Sequence, residues 1–153
     1  MSTLVRKAEQ RDKLTFAFMV QQFTTESPYD LKINPDKLLS NFENAVDNPD
    51  VNIAFLEKDG EAIGVIVSAL APSLFSDDVM VAELVWYVQK EHRDARKAFL
   101  LMNEQEAWAK DRGCTFVSMG SLVSDSPEEE KRIETLYEKK GYALKEKTFV
   151  KGL

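Results

Sequence analysis

The feature that most constrains the fold is a strand pattern that runs through a charged loop into a helix, between Glu83 and Ala98. The apolar segment 79–88 predicts a strand, and a long helix is predicted to follow it over about 96–112. In open α/β proteins such a junction binds phosphate, because N–H groups at a helix start attract anions. Arg96 stands where a phosphate loop normally has glycine. The junction therefore predicts a phosphate site with one irregular position.

The other patterns predict strands alternating with helices in a single domain, residues 1–153. Strands are predicted at 4–8, 51–56, 62–70, 79–88, 115–119 and 142–150. Helices are predicted at about 12–25, from Pro35 to the stop at Asn48, at 96–112 and at 127–140. Asp59-Gly60 predicts a tight hairpin turn. The order β-α-α-β-β-β-α-β-α-β predicts an α/β (α+β) fold with a mixed sheet and helices on both faces.

One cysteine, one histidine and a net charge of −6 limit the classes of function. A zinc site is not expected, because it needs several Cys and His ligands. A lone cysteine forms no intrachain disulfide, which fits a reducing, cytoplasmic location. The acidic balance argues against nucleic-acid binding. It either favours cationic partners or only keeps the protein in solution. No apolar run reaches the roughly 18 residues of a membrane span, so no membrane partner is expected, and the first residues lack a signal peptide's apolar core.

Two motifs resemble the GNAT superfamily of acetyl-CoA-dependent N-acetyltransferases. In the first, Val88 matches the apolar end of a strand, Arg93 matches the Arg/Gln of the family's Arg/Gln-x-x-Gly-x-Gly/Ala loop, and Ala98 matches its last small residue. In the second, residues 136–142 (Leu-Tyr-Glu-Lys-Lys-Gly-Tyr) resemble the Tyr-Glu-Lys-x-Gly-Phe end of the family's last helix. Residues 4–8 also resemble its first strand. The resemblance covers nearly the whole chain and implies a GNAT-like, mostly antiparallel central sheet.

The resemblance implies acetyl-CoA as co-substrate and no metal. The pantetheine arm is then expected beside the strand that ends at Val88, and the pyrophosphate on N–H groups of the following loop. The implied cofactor-binding residues are Trp86, Tyr87, Val88, Arg93, Asp94, Ala95, Arg96, Lys97 and Ala98. Trp86 and Tyr87 alternate across the strand, so one is expected in the core and the other beside the acceptor groove. A bulge would exchange their places.

Several of these residues keep a second interpretation. Arg93 is either a charged lid on the pyrophosphate or a solvated arginine, and Lys97 lies either near the ribose phosphate or in solvent. Arg96 either adds charge to the phosphates or crowds the backbone, since a Cβ limits close approach and positive φ. The chain also departs from the family pattern at Asp94, where glycine is frequent, and at Glu130, where asparagine is frequent. Both departures add negative charge.

Two residues are the implied catalytic groups. Tyr137 matches the family tyrosine that protonates the departing thiolate, and a phenol is protonated at neutral pH. Its alternative is a ring that packs the last helix on the sheet. Glu83 resembles the glutamate with which many members accept the proton of the amine. Its alternative is an exposed strand residue.

The sequence therefore predicts an N-acetyltransferase that moves an acetyl group from acetyl-CoA to a primary amine of a small molecule or protein by direct attack. Two alternatives stay open. One is a degenerate GNAT-fold binding or structural module without catalysis, motivated by Arg96, Asp94 and Glu130. The other is an acyltransferase with a different acyl donor. No recognisable motif identifies the acceptor, and a homodimer stays open.

Overall fold

The computed structural model describes residues 2–153. They form two compact units, one ending at Gly120 and the other spanning Ser121–Leu153. The elements of the first unit are β1 (Thr3–Lys7), α1 (Lys13–Glu26), α2 (Pro35–Val46), β2 (Val51–Lys58), β3 (Glu61–Pro72), β4 (Val79–Val88), α3 (Ala95–Asp111) and β5 (Phe116–Ser118). The second unit contains α4 (Pro127–Lys139). The expectation of a single domain stays a prediction.

The five strands of the first unit form one sheet in the order β1-β2-β3-β4-β5. The pairs from β1 to β4 are antiparallel, and β4 and β5 are parallel. The predicted mixed, mostly antiparallel sheet is therefore confirmed. β2 and β3 are joined by the predicted tight turn, where Asp59 and Gly60 have φ angles of 51° and 85°. Both residue types adopt positive φ readily, which is what this turn requires.

Helices cover both faces of the sheet, as predicted. The core under α1 and α2 consists of Phe16, Met19, Phe42, Ile53, Phe55, Val65, Val67 and Tyr87. The core under α3 consists of Ala54, Leu56, Ile63, Ile66, Val88 and Leu101, and a smaller cluster of Val81, Trp108 and Ala109. Neighbouring residues of β2 and β3 fall in different cores, because successive strand side chains point to opposite faces. The long apolar runs of β2 and β3 are explained by this burial on both sides.

Helices α2 and α4 begin where their capping residues predict. Asn34 Oδ1 accepts a hydrogen bond from the N–H of Lys37 at 3.1 Å at the start of α2. Ser126 Oγ accepts one from the N–H of Glu129 at 3.3 Å at the start of α4. Each cap satisfies a backbone donor that has no partner within its own helix. No helix of the described residues has the length and apolar character needed to cross a bilayer.

One strand carries a bulge beside the junction singled out in the sequence. Val67 pairs with Val85 and the next residue of β3, Ser68, pairs with Glu83, so Leu84 is an extra residue in β4. An extra residue reverses the alternation of side chains along the strand. Glu83 and Trp86 are three residues apart and would otherwise lie on opposite faces. The bulge brings both to the face covered by α3.

The predicted closing strand at 142–150 is wrong. The structure assigns no strand to residues 142–153, and the side chains of residues 143–153 are all exposed. A strand is stabilised by its ladder of hydrogen bonds to a neighbouring strand, and an alternating pattern alone does not supply that neighbour. The other predicted strands and helices are confirmed, with ends that agree or shift by at most two residues.

A glycine in β3 is required by the close approach of β4. A Cβ built on Gly64 would lie 2.8 Å from the carbonyl oxygen of Tyr87, whereas one on Gly120 would meet nothing within 4 Å. We expect Gly64→Ala to lower the free energy of unfolding by about 1–3 kcal/mol, because the backbone of two paired strands must separate. Gly120→Ala is the matched control and should stay within about 0.5 kcal/mol of the wild type. Urea unfolding at pH 7 measures both, and equal midpoints would contradict the expectation.

Candidate functional site

The candidate site begins where β4 loses its neighbour β5. The last paired residues of these strands are Ala82 and Ser118, so no strand of the described chain pairs with this edge of β4 beyond Ala82. The N–H of Gln89 donates to Ile63 O at 2.8 Å. Since hydrogen-bonded pairs alternate along antiparallel strands, Trp86 and Val88 direct their N–H and C=O groups away from β3, toward this edge. A partly unpaired strand is suited to bind an extended ligand through backbone hydrogen bonds.

Glu83 lies at the first position of this edge, on the face covered by α3. Its carboxylate accepts a hydrogen bond from the N–H of Gly120, but burial outweighs that bond and raises the pKa of Glu83 to about 7. A buried carboxyl has a raised pKa because desolvation disfavours the charged form. Such a group exchanges a proton readily at neutral pH, which is what general acid–base catalysis requires. Glu83 is partly buried, so it is not the exposed strand residue of the alternative interpretation, and its role as a proton acceptor stays a prediction.

Arg93 is held by a cluster at the end of β4. Its Nε donates to Val88 O at 2.7 Å, and its Nη2 lies 2.7 Å from Glu26 Oε1 at the end of α1. The hydroxyl of Tyr87 donates to the other oxygen of Glu26 at 2.5 Å, and the guanidinium lies over the Tyr87 ring at 5.3 Å. Burial and the bond to Glu26 both raise the pKa of Tyr87 above its usual range. The ion pair between Arg93 and Glu26 therefore fixes the loop after β4 to the end of α1.

The carboxylate of Asp94 lies at the start of α3, where a bound anion would also bind. The Asp94 side chain caps the helix by accepting from the N–H of Lys97 at 2.8 Å, and Lys97 Nζ lies 2.5 Å from the other carboxylate oxygen. These hydrogen bonds to Lys97 lower the pKa of Asp94. Ala95 and Arg96 are the first two helical residues, whose N–H groups have no carbonyl partner within the helix. A bound anion would meet those two donors and the negative charge of Asp94.

Arg96 does not strain the backbone. Among residues 2–153, Asp59 is the only residue other than glycine with a positive φ. Arg96 therefore has the ordinary conformation of the second residue of a helix, with an exposed side chain. Of the two interpretations of Arg96, crowding through a required positive φ is excluded. Ala98 is buried, which agrees with close packing at the helix start.

The two aromatic residues of β4 occupy opposite faces, as their alternation predicts, but both pack against a core, and the expectation that one lies beside an acceptor groove stays a prediction. Tyr87 lies in the core under α1 and α2, and Trp86 packs against the core under α3. The candidate cofactor-binding residues lie on one continuous segment that runs from the end of β4 through the loop to the start of α3: Trp86, Tyr87, Val88 and residues 93–98. Glu83 lies on the same strand. The structure thus brings these candidates together within the first unit.

Tyr137 and Glu130 belong to the second unit. Tyr137 lies in the last turns of α4, partly buried, with its ring centroid 5.7 Å from that of Tyr142. Its carbonyl accepts from the N–H of Tyr142 at 3.0 Å, and Gly141 ends the helix with a φ of 88°. The Glu130 carboxylate accepts from the N–H of Ser124 at 2.5 Å. That bond fixes the chain just before the helix.

Sequence reasoning missed three polar residues that surround this site. Glu26 joins Tyr87 and Arg93, but it lies 67 residues before Arg93 and no local pattern connects them. Ser68 and Gln105 hydrogen-bond to each other in the core under α3. A signal for both exists in the sequence, because each is a polar residue within an apolar strand run or an apolar helix stripe.

Comparison with known proteins identifies a family. The model of the "Acetyltransferase (GNAT) family" matches residues 14–142. No curated protein matches the chain. Among solved structures, a predicted acetyltransferase of Clostridium acetobutylicum with acetyl-CoA is 15% identical with a TM-score of 0.78, over 99% of this chain and 96% of that one.

Two further solved structures are similar over 99% of both chains. The ribosomal-protein-alanine N-acetyltransferase of Brucella melitensis is 17% identical with a TM-score of 0.73. The glucosamine-6-phosphate N-acetyltransferase of Arabidopsis thaliana is 18% identical with a TM-score of 0.74. At this level of identity the similarities establish the fold, and they agree with the sheet and helices described above.

The raised pKa of Glu83 predicts a specific dependence of stability on pH. The folded state binds this proton more tightly than the unfolded state, in which the pKa is about 4.5. The stabilising contribution is therefore complete below pH 4.5 and is lost as pH rises toward 7. Relative to Glu83→Gln, which cannot ionise, the wild type should lose up to about 3 kcal/mol of unfolding free energy over that range. Urea unfolding of both proteins between pH 4.5 and 8 measures this. A constant difference would show that Glu83 titrates normally.

Proposed function

Because this chain belongs to the acetyltransferase (GNAT) family, we propose that it transfers the acetyl group of acetyl-CoA to a primary amine by direct attack. Family membership confirms the sequence-based predictions of the GNAT family and of an acetyltransferase. The observation that carries the proposal is Glu83, an acid with a pKa of about 7 at the point where β4 parts from β5. At neutral pH a large share of this group is ionised and able to accept a proton.

The first unit offers acetyl-CoA two kinds of contact. The pantetheine arm has amide groups, and it pairs with the β4 edge toward which Trp86 directs its backbone groups and Val88 its N–H, since Val88 O already accepts from Arg93 Nε. The pyrophosphate binds at the start of α3, where the N–H groups of Ala95 and Arg96 and the positive end of the helix dipole attract it. The exposed guanidinium of Arg96 adds positive charge there. These contacts hold the thioester beside Glu83.

In the proposed reaction the amine attacks the thioester carbonyl. Glu83 accepts a proton from the amine, directly or through water, and this keeps the nitrogen lone pair available for attack. The carbon–sulfur bond then breaks, and the departing sulfur takes a proton from the phenol of Tyr137. A phenol suits that role because it is protonated at neutral pH. The products are an N-acetylated amine and CoA.

The acceptor is proposed to be a primary amine of a small molecule or a protein. Structural neighbours whose names state an acceptor act on the alanine of a ribosomal protein and on glucosamine 6-phosphate, so both kinds of amine occur on this fold. The net charge of −6 favours a cationic amine, which an acidic surface attracts.

Single substitutions test the proposed roles. The assay uses acetyl-CoA and a panel of amines, and mass spectrometry measures the product. The kcat/KM of the wild type should rise with pH up to about 7 as Glu83 ionises. Glu83→Gln should lower kcat/KM by roughly 10²–10⁴-fold and abolish that rise.

Tyr137→Phe should lower kcat. The matched controls are Glu61→Gln, on the exposed start of β3, and Tyr142→Phe, whose ring contacts Tyr137. Binding of acetyl-CoA without transfer to any amine would support a non-catalytic module instead.

The charge of Asp94 should weaken cofactor binding. Asp94→Ser keeps an oxygen that caps α3 but removes the carboxylate and releases Lys97, so both changes favour an anion. We expect CoA to bind roughly 3–10-fold more tightly at low ionic strength, with a smaller gain in high salt. Asp36→Ser in the first turn of α2 makes the same change of net charge and should have no effect. Isothermal titration compares the variants. Weaker binding by Asp94→Ser would mean that the carboxylate supports the loop instead of opposing the phosphates.

A further inference from the structure

A row of polar residues crosses the otherwise apolar sheet face under α3. Asn52 on β2 pairs with Ser68 on β3, and Ser68 pairs with Glu83 on β4. Directly cross-strand partners point to the same face. Asn52 and Ser68 are 2% and 0% exposed, so the row is enclosed by the helix above it. Its last member is the acid that the proposed reaction uses.

Gln105 of α3 covers this row and is incompletely hydrogen-bonded. The hydroxyl of Ser68 donates to Gln105 Oε1 at 2.5 Å, and both side chains are fully buried. The amide nitrogen Nε2 of Gln105 is buried without a hydrogen-bond partner within residues 2–153. A buried donor without an acceptor is destabilising, so such groups are rare unless they serve another state of the protein.

The alignment of α3 on the sheet places Gln105 over the part of β4 that contains Glu83. Toward the helix start, Leu101 packs in the same cluster as Val88. Toward the helix end, Trp108 packs in the same cluster as Val81. Gln105 is one turn from each of them on the same face of the helix. It therefore lies over the middle of β4, where Glu83 and Trp86 point to this face and Glu83 is the one that pairs with Ser68, the partner of Gln105.

We propose that Gln105, oriented by Ser68, is a positioning residue for Glu83, whose ionised carboxylate accepts a hydrogen bond from Gln105 Nε2. This inference rests on the proposed function only in taking Glu83 as the general base. The Ser68 hydroxyl fixes the amide by donating to Oε1, which leaves Nε2 to serve the carboxylate. The buried N–H donor of Gln105 is then satisfied when Glu83 has lost its proton and its carboxylate is charged.

The pKa of Glu83 depends on uncharged hydrogen-bond donors around its carboxyl group. Ser68 is its cross-strand partner on β3, Gln105 of α3 is hydrogen-bonded to Ser68, and Gly120 donates its N–H to Glu83 from the chain after β5. The carboxylates that flank Gln105 on α3 are Glu104, which accepts from Asn52 at 3.4 Å, and Glu106. Burial and the Gly120 bond account for the raised pKa, with no charged neighbour among its causes. A donor from Gln105 stabilises the charged form, so its removal should raise the pKa of Glu83 further.

Carbon-13 NMR of glutamate side chains in the unliganded protein tests this without any assay of activity. The Glu83 signal is the one missing from Glu83→Gln. We expect Gln105→Met, which keeps the volume, to raise the pKa of Glu83 by about one pH unit, and Ser68→Ala to raise it by less. Asn52→Leu, one strand further away, is the control and should not move it. An unchanged or lowered pKa in folded Gln105→Met would overturn the proposal.

A measurement on the wild-type protein covers the case in which Gln105→Met does not fold. The side-chain amide signals of Gln105 should shift with pH at the same midpoint as the Glu83 carboxyl, and Glu83→Gln should abolish that shift. Amide signals that do not respond to this titration would overturn the proposal.

Kinetics separate this inference from the proposed function. If both hold, the rise of kcat/KM with pH in Gln105→Met moves upward by the same amount as the pKa, while KM for acetyl-CoA is unchanged. If Glu83→Gln loses turnover but Gln105→Met shifts neither the pKa nor the pH profile, Glu83 is the base and the role of Gln105 is refuted. If the wild type transfers no acetyl group but the NMR coupling is present, the pair is established and the proposed reaction fails.

Discussion

The extra residue at Leu84 is the constraint on which the site depends. Side chains alternate along a strand, so β4 without a bulge could not place both Glu83 and Trp86 on the face covered by α3. Without the bulge, Val85 and Glu83 would share one face. Since Val85 packs in the core under α1 and α2, Glu83 would then leave the face covered by α3, or Val85 would leave that core. One unpaired residue therefore lets a single strand complete two cores and still present an acid to a buried polar row.

The same strand explains why the acid has a pKa near neutrality. Pairing of β4 with β5 stops at Ala82 and Ser118, so Glu83 is the first residue beyond that pairing, partly buried on the face covered by α3. Desolvation raises its pKa, and a single backbone N–H from Gly120 offsets the effect only in part. The fold thus tunes the acid through burial and neutral hydrogen bonds, without a charged neighbour among the causes of the shift.

Features encoded by short-range patterns were predictable from the sequence. The Asp59-Gly60 turn, the caps at Asn34 and Ser126 and the start of α3 follow from local conformational preferences, and the structure has each of them. Features that need a partner far along the chain were not predictable. The pattern at 142–150 predicts a strand but contains no information on what it pairs with, and Glu26 meets Arg93 only because α1 folds onto the end of β4. The bulge at Leu84 has the same character, because register is a property of two strands together.

Arg96 was the irregular position in the sequence, but the structure moves the question to its neighbour. With α3 beginning at Ala95, the second helical residue has an ordinary φ and needs no glycine, so a side chain there is conformationally neutral. Asp94 differs, because its carboxylate occupies the N–H of Lys97 and places negative charge at the positive end of the helix. In the proposed function, the capping bond that defines the helix start is therefore the interaction with which a pyrophosphate would have to compete. If the proposed function holds, phosphate affinity at this junction depends on the charge of residue 94, because residue 96 has no positive φ that would require glycine.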